Sequence, residues 1–130
     1  SVNELAGTWM KEQHNDLPIL TFESGTSLHA WLAENHAVSR GIRVRIYRKN
    51  SGIRSVTFEE MLDEGLCYGW SESMRERGDA VSYLQTFTPR RTKGTVSERN
   101  WQHARRLIAE GKMTPAGLRA LGMESDTAGR

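Results

Sequence analysis

The chain has 130 residues, with 18 Lys and Arg against 16 Asp and Glu, 37% hydrophobic residues and one cysteine. That length suits one domain able to bury roughly two-thirds of its unfolded surface. The apolar share excludes a disordered chain, and a single cysteine excludes an internal disulfide. No apolar run approaches the ~20 residues of a membrane span and no signal-type apolar segment is present, so the sequence reads as a cytoplasmic domain, expected as a monomer.

Residues 1–18 read as a variable lead-in, with one short helix over Glu4 to Lys11 ended by Asn15-Asp16 and Pro18. Ile19 to Glu23 is a short apolar run that suits a strand, broken by Gly25. From Thr26 or Ser27 a helix runs to about His36, with Leu28, Trp31 and Leu32 as its apolar stripe. Ile42 to Arg48 alternates, so Ile42, Val44 and Ile46 face a core while Arg43, Arg45 and Tyr47 form a wet, cationic face. Asn50-Ser51-Gly52 is a turn.

Thr57 with Glu60 three residues on is a capping box, and Val56 with Met61 is a hydrophobic staple. The helix they start carries Phe58, Met61, Leu62 and Leu66 on one face and ends near Gly69. Trp70 to Arg77 and Val81 to Thr88 form a hairpin around Gly78-Asp79, stopped by Pro89. A basic, mobile loop over Arg90 to Thr95 is expected next. Ser97 then caps a helix that ends at Gly111, with Val96 and Trp101 as its staple, and Thr114-Pro115 starts a last short helix closed by Gly122.

The order β-α-β-α-β-β-α-α predicts an α+β fold, a small mostly antiparallel sheet packed with helices, as one domain over residues 19–122 with a disordered tail over 123–130. Trp31, Phe58, Leu62, Leu66 and Ile108 are expected to share its core.

Charge is unevenly spread. Arg40 to Arg54 holds six cations and no acid, and Met74 to Arg106 holds eight cations against three acids, so convergence of the two would make an anion-attracting face. The helix between them carries Glu59, Glu60, Asp63 and Glu64, of which Asp63 and Glu64 could instead pair with Arg90 and Arg91. Phosphate-binding, dinucleotide and nucleophile-elbow motifs are absent. His14, His29, His36 and His103 have no partner at metal-ligand spacing and read as surface or cap residues, so no metal and no cofactor are expected. Cys67 is the one candidate thiol; its late helical position raises its pKa, which favours inert packing. Tyr83, Gln85 and Phe87 alternate as the aromatics of a single-stranded nucleic-acid platform do, but no matching motif accompanies them and core packing is the better reading.

From about Pro18 to Leu121 the chain resembles the YdeI/OmpD-associated family of bacterial proteins. The resemblance rests on AWLAENH (Ala30 to His36), SGIRSVTFEEMLDEGLCYGW (Ser51 to Trp70), SYLQTFTPRR (Ser82 to Arg91), SERNW (Ser97 to Trp101) and LIAEGKMTPAGL (Leu107 to Leu118). It implies a YdhG-like α+β fold and a link to bacteriocin protection and cationic antimicrobial peptide resistance, and it carries no catalytic residue over. Ser71-Glu72-Ser73 departs from the Ile-Asp-Gly common after the Gly-Trp pair, and Thr92 to Ser97 departs from the steps after the double arginine.

Together these readings predict a non-enzymatic binding or stress-protection domain for an anionic ligand or protein partner. Trp70, Arg75, Arg90, Arg91 and Asn100 are expected to line a cleft near the start of the Ser97 helix. The alternatives are a small-pocket enzyme around Cys67, Tyr68 and Trp70, and a nucleic-acid-associated protein.

Overall fold

The structure, a computed structural model, describes residues 16–91 and 96–123. The expected Glu4 to Lys11 helix, most of the Arg90 to Thr95 loop and the Glu124 to Arg130 tail lie outside the described residues. The elements are β1 (Ile19–Thr21), α1 (Gly25–Asn35), β2 (Ile42–Tyr47), a 3-10 turn (Lys49–Ser51), α2 (Phe58–Tyr68), β3 (Trp70–Arg77), β4 (Ser82–Pro89), α3 (Glu98–Ala109) and α4 (Pro115–Ala120). The fold is α+β, with the strand and helix order read from the sequence.

Local chemistry sets the helix ends. Ser24, ahead of the expected start, caps α1 by accepting from the Ser27 N–H at 3.4 Å. Both halves of the capping box at α2 form: Thr57 Oγ1 accepts from Glu60 N–H at 3.1 Å, and Glu60 Oε1 accepts from Thr57 N–H at 2.9 Å. Val56 and Met61, the staple pair, are both fully buried. Ser97 and Thr114 cap α3 and α4 in the same way. After α3, Gly111 N–H donates to Ile108 O and Lys112 N–H to Leu107 O, a Schellman closure that needs the left-handed backbone of Gly111 (φ 74°).

The sheet order is β1-β2-β4-β3. The β1/β2 pair is parallel, with Leu20 opposite Val44, as the α1 crossover between them allows; the other two pairs are antiparallel. On β2 the pattern is strictly alternating, with Ile42, Val44 and Ile46 buried. The register sets Phe87 opposite Ile42 and Tyr83 opposite Ile46, so the aromatics of β4 share that inward face. The β3/β4 register shifts between Glu72 and Arg75, an irregularity of the β-bulge kind that places one extra residue on β3.

The core joins Leu28 and Leu32 of α1, Met61 and Leu66 of α2, Ala104 and Leu107 of α3, and Trp70 and Phe87 of the hairpin. Gly65 allows α2 to sit directly on the hairpin, since a Cβ there would overlap Trp70 O and the Phe87 ring. Gly117 does the same for α4 against the last carbonyls of α2.

Two members of the expected core need correction. Ile108 is 36% exposed, because Ala104 and Leu107 take the inward phase of α3 and the next residue turns about 100° away. Leu62 is half-buried on the wall of a cavity, while Leu66 is buried and Trp31 and Phe58 pack against the core from its edge. The wet cationic face of β2 also needs correction. Arg43 and Arg45 lie half-buried against the sheet: Arg43 Nε donates to Leu17 O at 2.9 Å, its Nη1 meets Glu76 at 3.3 Å, and Arg45 Nη1 donates to Ser82 Oγ at 2.8 Å. Their long stems have enough apolar surface to lie flat over β4 while the heads find acceptors.

Candidate functional site

Among the described residues, three depressions border α2. The first, about 260 Å³, lies where the end of α2, the end of β4 and α4 meet, and is lined by His36, Tyr68, Gly69, Trp70, Pro89, Arg90, Arg91, Ala116, Arg119 and Ala120. Among the described residues no carboxylate lines it. The Arg90 N–H donates to Gly69 O at 2.8 Å, which pins the start of the arginine pair to the left-handed cap of α2. Arg119, 21 residues beyond the start of α3, reaches the depression from α4. Neither Arg91 nor Arg119 has a carboxylate partner among the described residues.

A second depression, about 550 Å³, lies between α2, α3 and β3 and includes Phe58, Leu62, Glu72, Asn100 and Arg106. Its charge is mixed. Arg106 Nη2 donates to both oxygens of Asp63 at 2.9 Å, and His103 sits 3.7 Å from the same carboxylate. Burial holds the Glu72 carboxyl above its ordinary value, against the pull of Arg90 and Arg75.

The third depression, about 660 Å³, lies between the start of α1, the end of α2 and the Gly111–Pro115 connection. Here His29 Nδ1 meets Glu64 Oε1 at 2.7 Å, and Tyr68 Oη lies 3.4 Å from His29 Nε2. The Tyr68 ring packs against both His29 (5.4 Å between centroids) and His36 (4.9 Å). Tyr68 therefore borders both this depression and the arginine one.

The five residues expected to share a cleft are divided. Trp70, Arg90 and Arg91 line the arginine depression. Trp70 is only 2% exposed, its ring packed edge-on to Trp31 and tilted on Phe87, so it offers little surface to a ligand. Asn100 lines the mixed depression beside the α3 start. Arg75 lies over the Tyr83 ring at 4.1 Å and near Phe58 at 5.3 Å, with Nε donating to Gln85 at 3.4 Å. The helix start and the arginine pair thus do not build one site. Of the acids of α2, Asp63 pairs with Arg106 and Glu64 with His29.

Cys67 is 2% exposed, and its thiol is pushed up to about 12, by burial first and then by Glu64 and Asp63. A thiol so placed stays protonated at neutral pH. On β4, Phe87 is fully buried and Gln85 3% exposed, its Nε2 donating to Met74 O at 3.1 Å, so this strand carries core rather than an open aromatic ladder. Among the described residues no group of three or more His, Cys, Asp and Glu is placed to hold a metal ion, and no helix is long and apolar enough to cross a membrane.

Sequence reasoning missed Arg119, His36 and the His29–Glu64–Tyr68 contact. The seven-residue spacing of His29 and His36 was a usable signal, since two turns put both on one side of α1. Nothing local marks Arg119.

The sequence pattern of a family described as a domain of unknown function, DUF8412, matches residues 20–120. No curated protein matches the chain, and no solved structure does.

Proposed function

The chain belongs to the DUF8412 family, and we propose that it is a binding domain for an anionic group, in the stress-protection role that its resemblance to the YdeI/OmpD-associated proteins implies. One observation carries this reading: among the described residues, Arg90, Arg91, Arg119 and His36 border a single depression with no acid in its lining, whereas the two other depressions beside α2 contain carboxylates. Guanidinium forks match the oxygens of phosphate, sulfate or carboxylate, and a charge-assisted bond is stronger than a neutral one. At about 260 Å³ the depression is smaller than most whole-ligand sites. It suits the anionic end of a larger molecule, one phosphate or carboxylate group at a time.

Titration of the 15N-labelled protein with inorganic phosphate at low salt tests this. The amides of Gly69, Arg90, Arg91 and Ala116 to Ala120 are expected to shift, and the shifts to shrink as salt screens the charges. Arg91→Ala with Arg119→Ala is expected to abolish the shifts while the protein stays folded. Unmoved amides in that set with phosphate, heparin and a nucleotide alike would overturn the reading.

A further inference from the structure

Among the described residues that line the arginine depression, three carry guanidiniums and one, His36, an imidazole. His36 is the C-cap of α1, and its half-buried side chain turns back on its own helix, with Nδ1 2.8 Å from Leu32 O. A carbonyl oxygen only accepts, so Nδ1 is the donor of this bond and carries a proton whether the ring is neutral or charged. Nε2 is the ring nitrogen left to serve the depression. In a neutral ring it presents a lone pair, which repels an anion. In an imidazolium it is a charged N–H donor, which attracts one. The arginines keep their charge at every working pH. Burial holds the Tyr68 hydroxyl above its ordinary value of 10.0, so it stays un-ionised through the neutral range. His36 is therefore the described lining group whose effect on an anion changes sign with pH.

The surroundings couple that change to the anion. From α2, the Tyr68 ring packs on His36 at 4.9 Å between centroids, and Glu64, one turn earlier, is paired with His29 at 2.7 Å. Arg90 and Arg91 line the depression from the end of β4, and Arg119 from α4. These guanidiniums oppose a further positive charge until an anion sits among them. The C-terminal end of α1 attracts a cation at His36. Proton and anion therefore strengthen each other's binding, and by the same factor in each direction.

We propose that His36 is a binding residue of this depression, whose Nε2–H joins Arg91 and Arg119 on the anion once the imidazole is protonated, so that the anion is held more tightly in mild acid. This role rests on the depression being an anion site.

Sulfate is the probe, because it keeps both charges across the range of about pH 5 to 8 in which an imidazole ordinarily gains its proton, whereas inorganic phosphate changes its own charge there. Its affinity is read at fixed low ionic strength from the amides of Gly69, Arg91 and Ala116 to Ala120. The parent protein is expected to bind sulfate about fivefold or more tightly at pH 5.5 than at pH 8. His36→Asn carries no charge at any pH and keeps an N–H donor for Leu32 O, as Asn35 Nδ2 donates to Trp31 O at 2.9 Å one residue earlier. It is expected to lose that rise, and His36→Gln to lose it likewise should asparagine disturb the helix end. The other histidines titrate in parent and variants alike and cancel in the comparison. Parent affinity that is equal at the two pH values, or that rises equally in the variants, would overturn the role of His36 and leave the anion site standing. No sulfate binding by the parent at either pH would remove the site itself, and this role with it.

Discussion

Two groups of arginines in this protein look alike in sequence and behave oppositely in the fold. Arg43 and Arg45 of β2 lie along the sheet with their heads on Glu76, Asp79, Ser82 and the Leu17 carbonyl, and their side chains are only 14% and 23% exposed. Arg91 and Arg119 border an acid-free depression and hold no carboxylate among the described residues. A run of basic residues therefore says little about ligands until its internal acceptors are counted. The six cations of Arg40 to Arg54 made the denser signal, yet it is the sparser later set that borders a depression with no acid among its described residues.

The comparison breaks first at Arg43. Arg43→Ala leaves the Leu17 carbonyl and the half-buried Glu76 without their donor and is expected to cost about 1.5–3 kcal/mol in urea unfolding. A loss below about 0.5 kcal/mol would mean that the inward arginines are no more structural than the outward ones. Arg106 makes an intermediate case. It grips Asp63 with both bonds at 2.9 Å but is 42% exposed, so solvent screens the pair and Arg106→Ala is expected to cost less than about 1 kcal/mol. For Arg91→Ala with Arg119→Ala the expected change in stability is within about 0.5 kcal/mol, with the loss appearing in phosphate affinity instead. Unfolding of that double variant would move these arginines into the structural group.

The smallest effect is a pH dependence at the anchor of Arg45. The Ser82 hydroxyl, then the Val81 N–H, hold the Asp79 carboxyl below its ordinary value of 3.8, with Arg45 adding attraction. A folded value below the unfolded one means the contribution is present above pH 3.8 and is lost as pH falls through the folded value. Thermal melts of Asp79→Asn and the parent protein should therefore differ near neutral pH and converge in acid. A gap that stays constant down to pH 2 would show that the side chain acts by shape rather than by charge.

Much of the fold is legible in the chain because its signals are short-range. The Thr57–Glu60 box, the Gly69, Gly111 and Gly122 stops, Pro115 at the first turn of α4 and the strict alternation of Ile42 to Tyr47 each depend on residues within a turn or two of one another. The core was harder to read. The expectation for Ile108 failed by one position, because a helix with two adjacent apolar residues, Leu107 and Ile108, has two plausible inward phases and only the facing helix selects one.

The candidate sites divide along the same physical line. Sequence alone determined the α+β order, the starts and stops of α2, α3 and α4, and the arginine pair beside Pro89, since propensity, capping and alternation act over a few residues. It also placed Cys67 late in a helix among acids, enough to foresee an unreactive thiol. Only the tertiary structure decided that Arg119 joins Arg90 and Arg91 across 28 residues of chain, that Asn100 and Arg75 go elsewhere, and that His29 meets Glu64 and Tyr68 from another helix. Those pairings depend on how α1, α2 and α4 dock on one another, set by burial of Leu28, Leu66 and Leu121 and by the missing side chain at Gly117. Hydrophobic burial and close packing are not encoded at any one position, so the charged groups they bring together cannot be read from spacing.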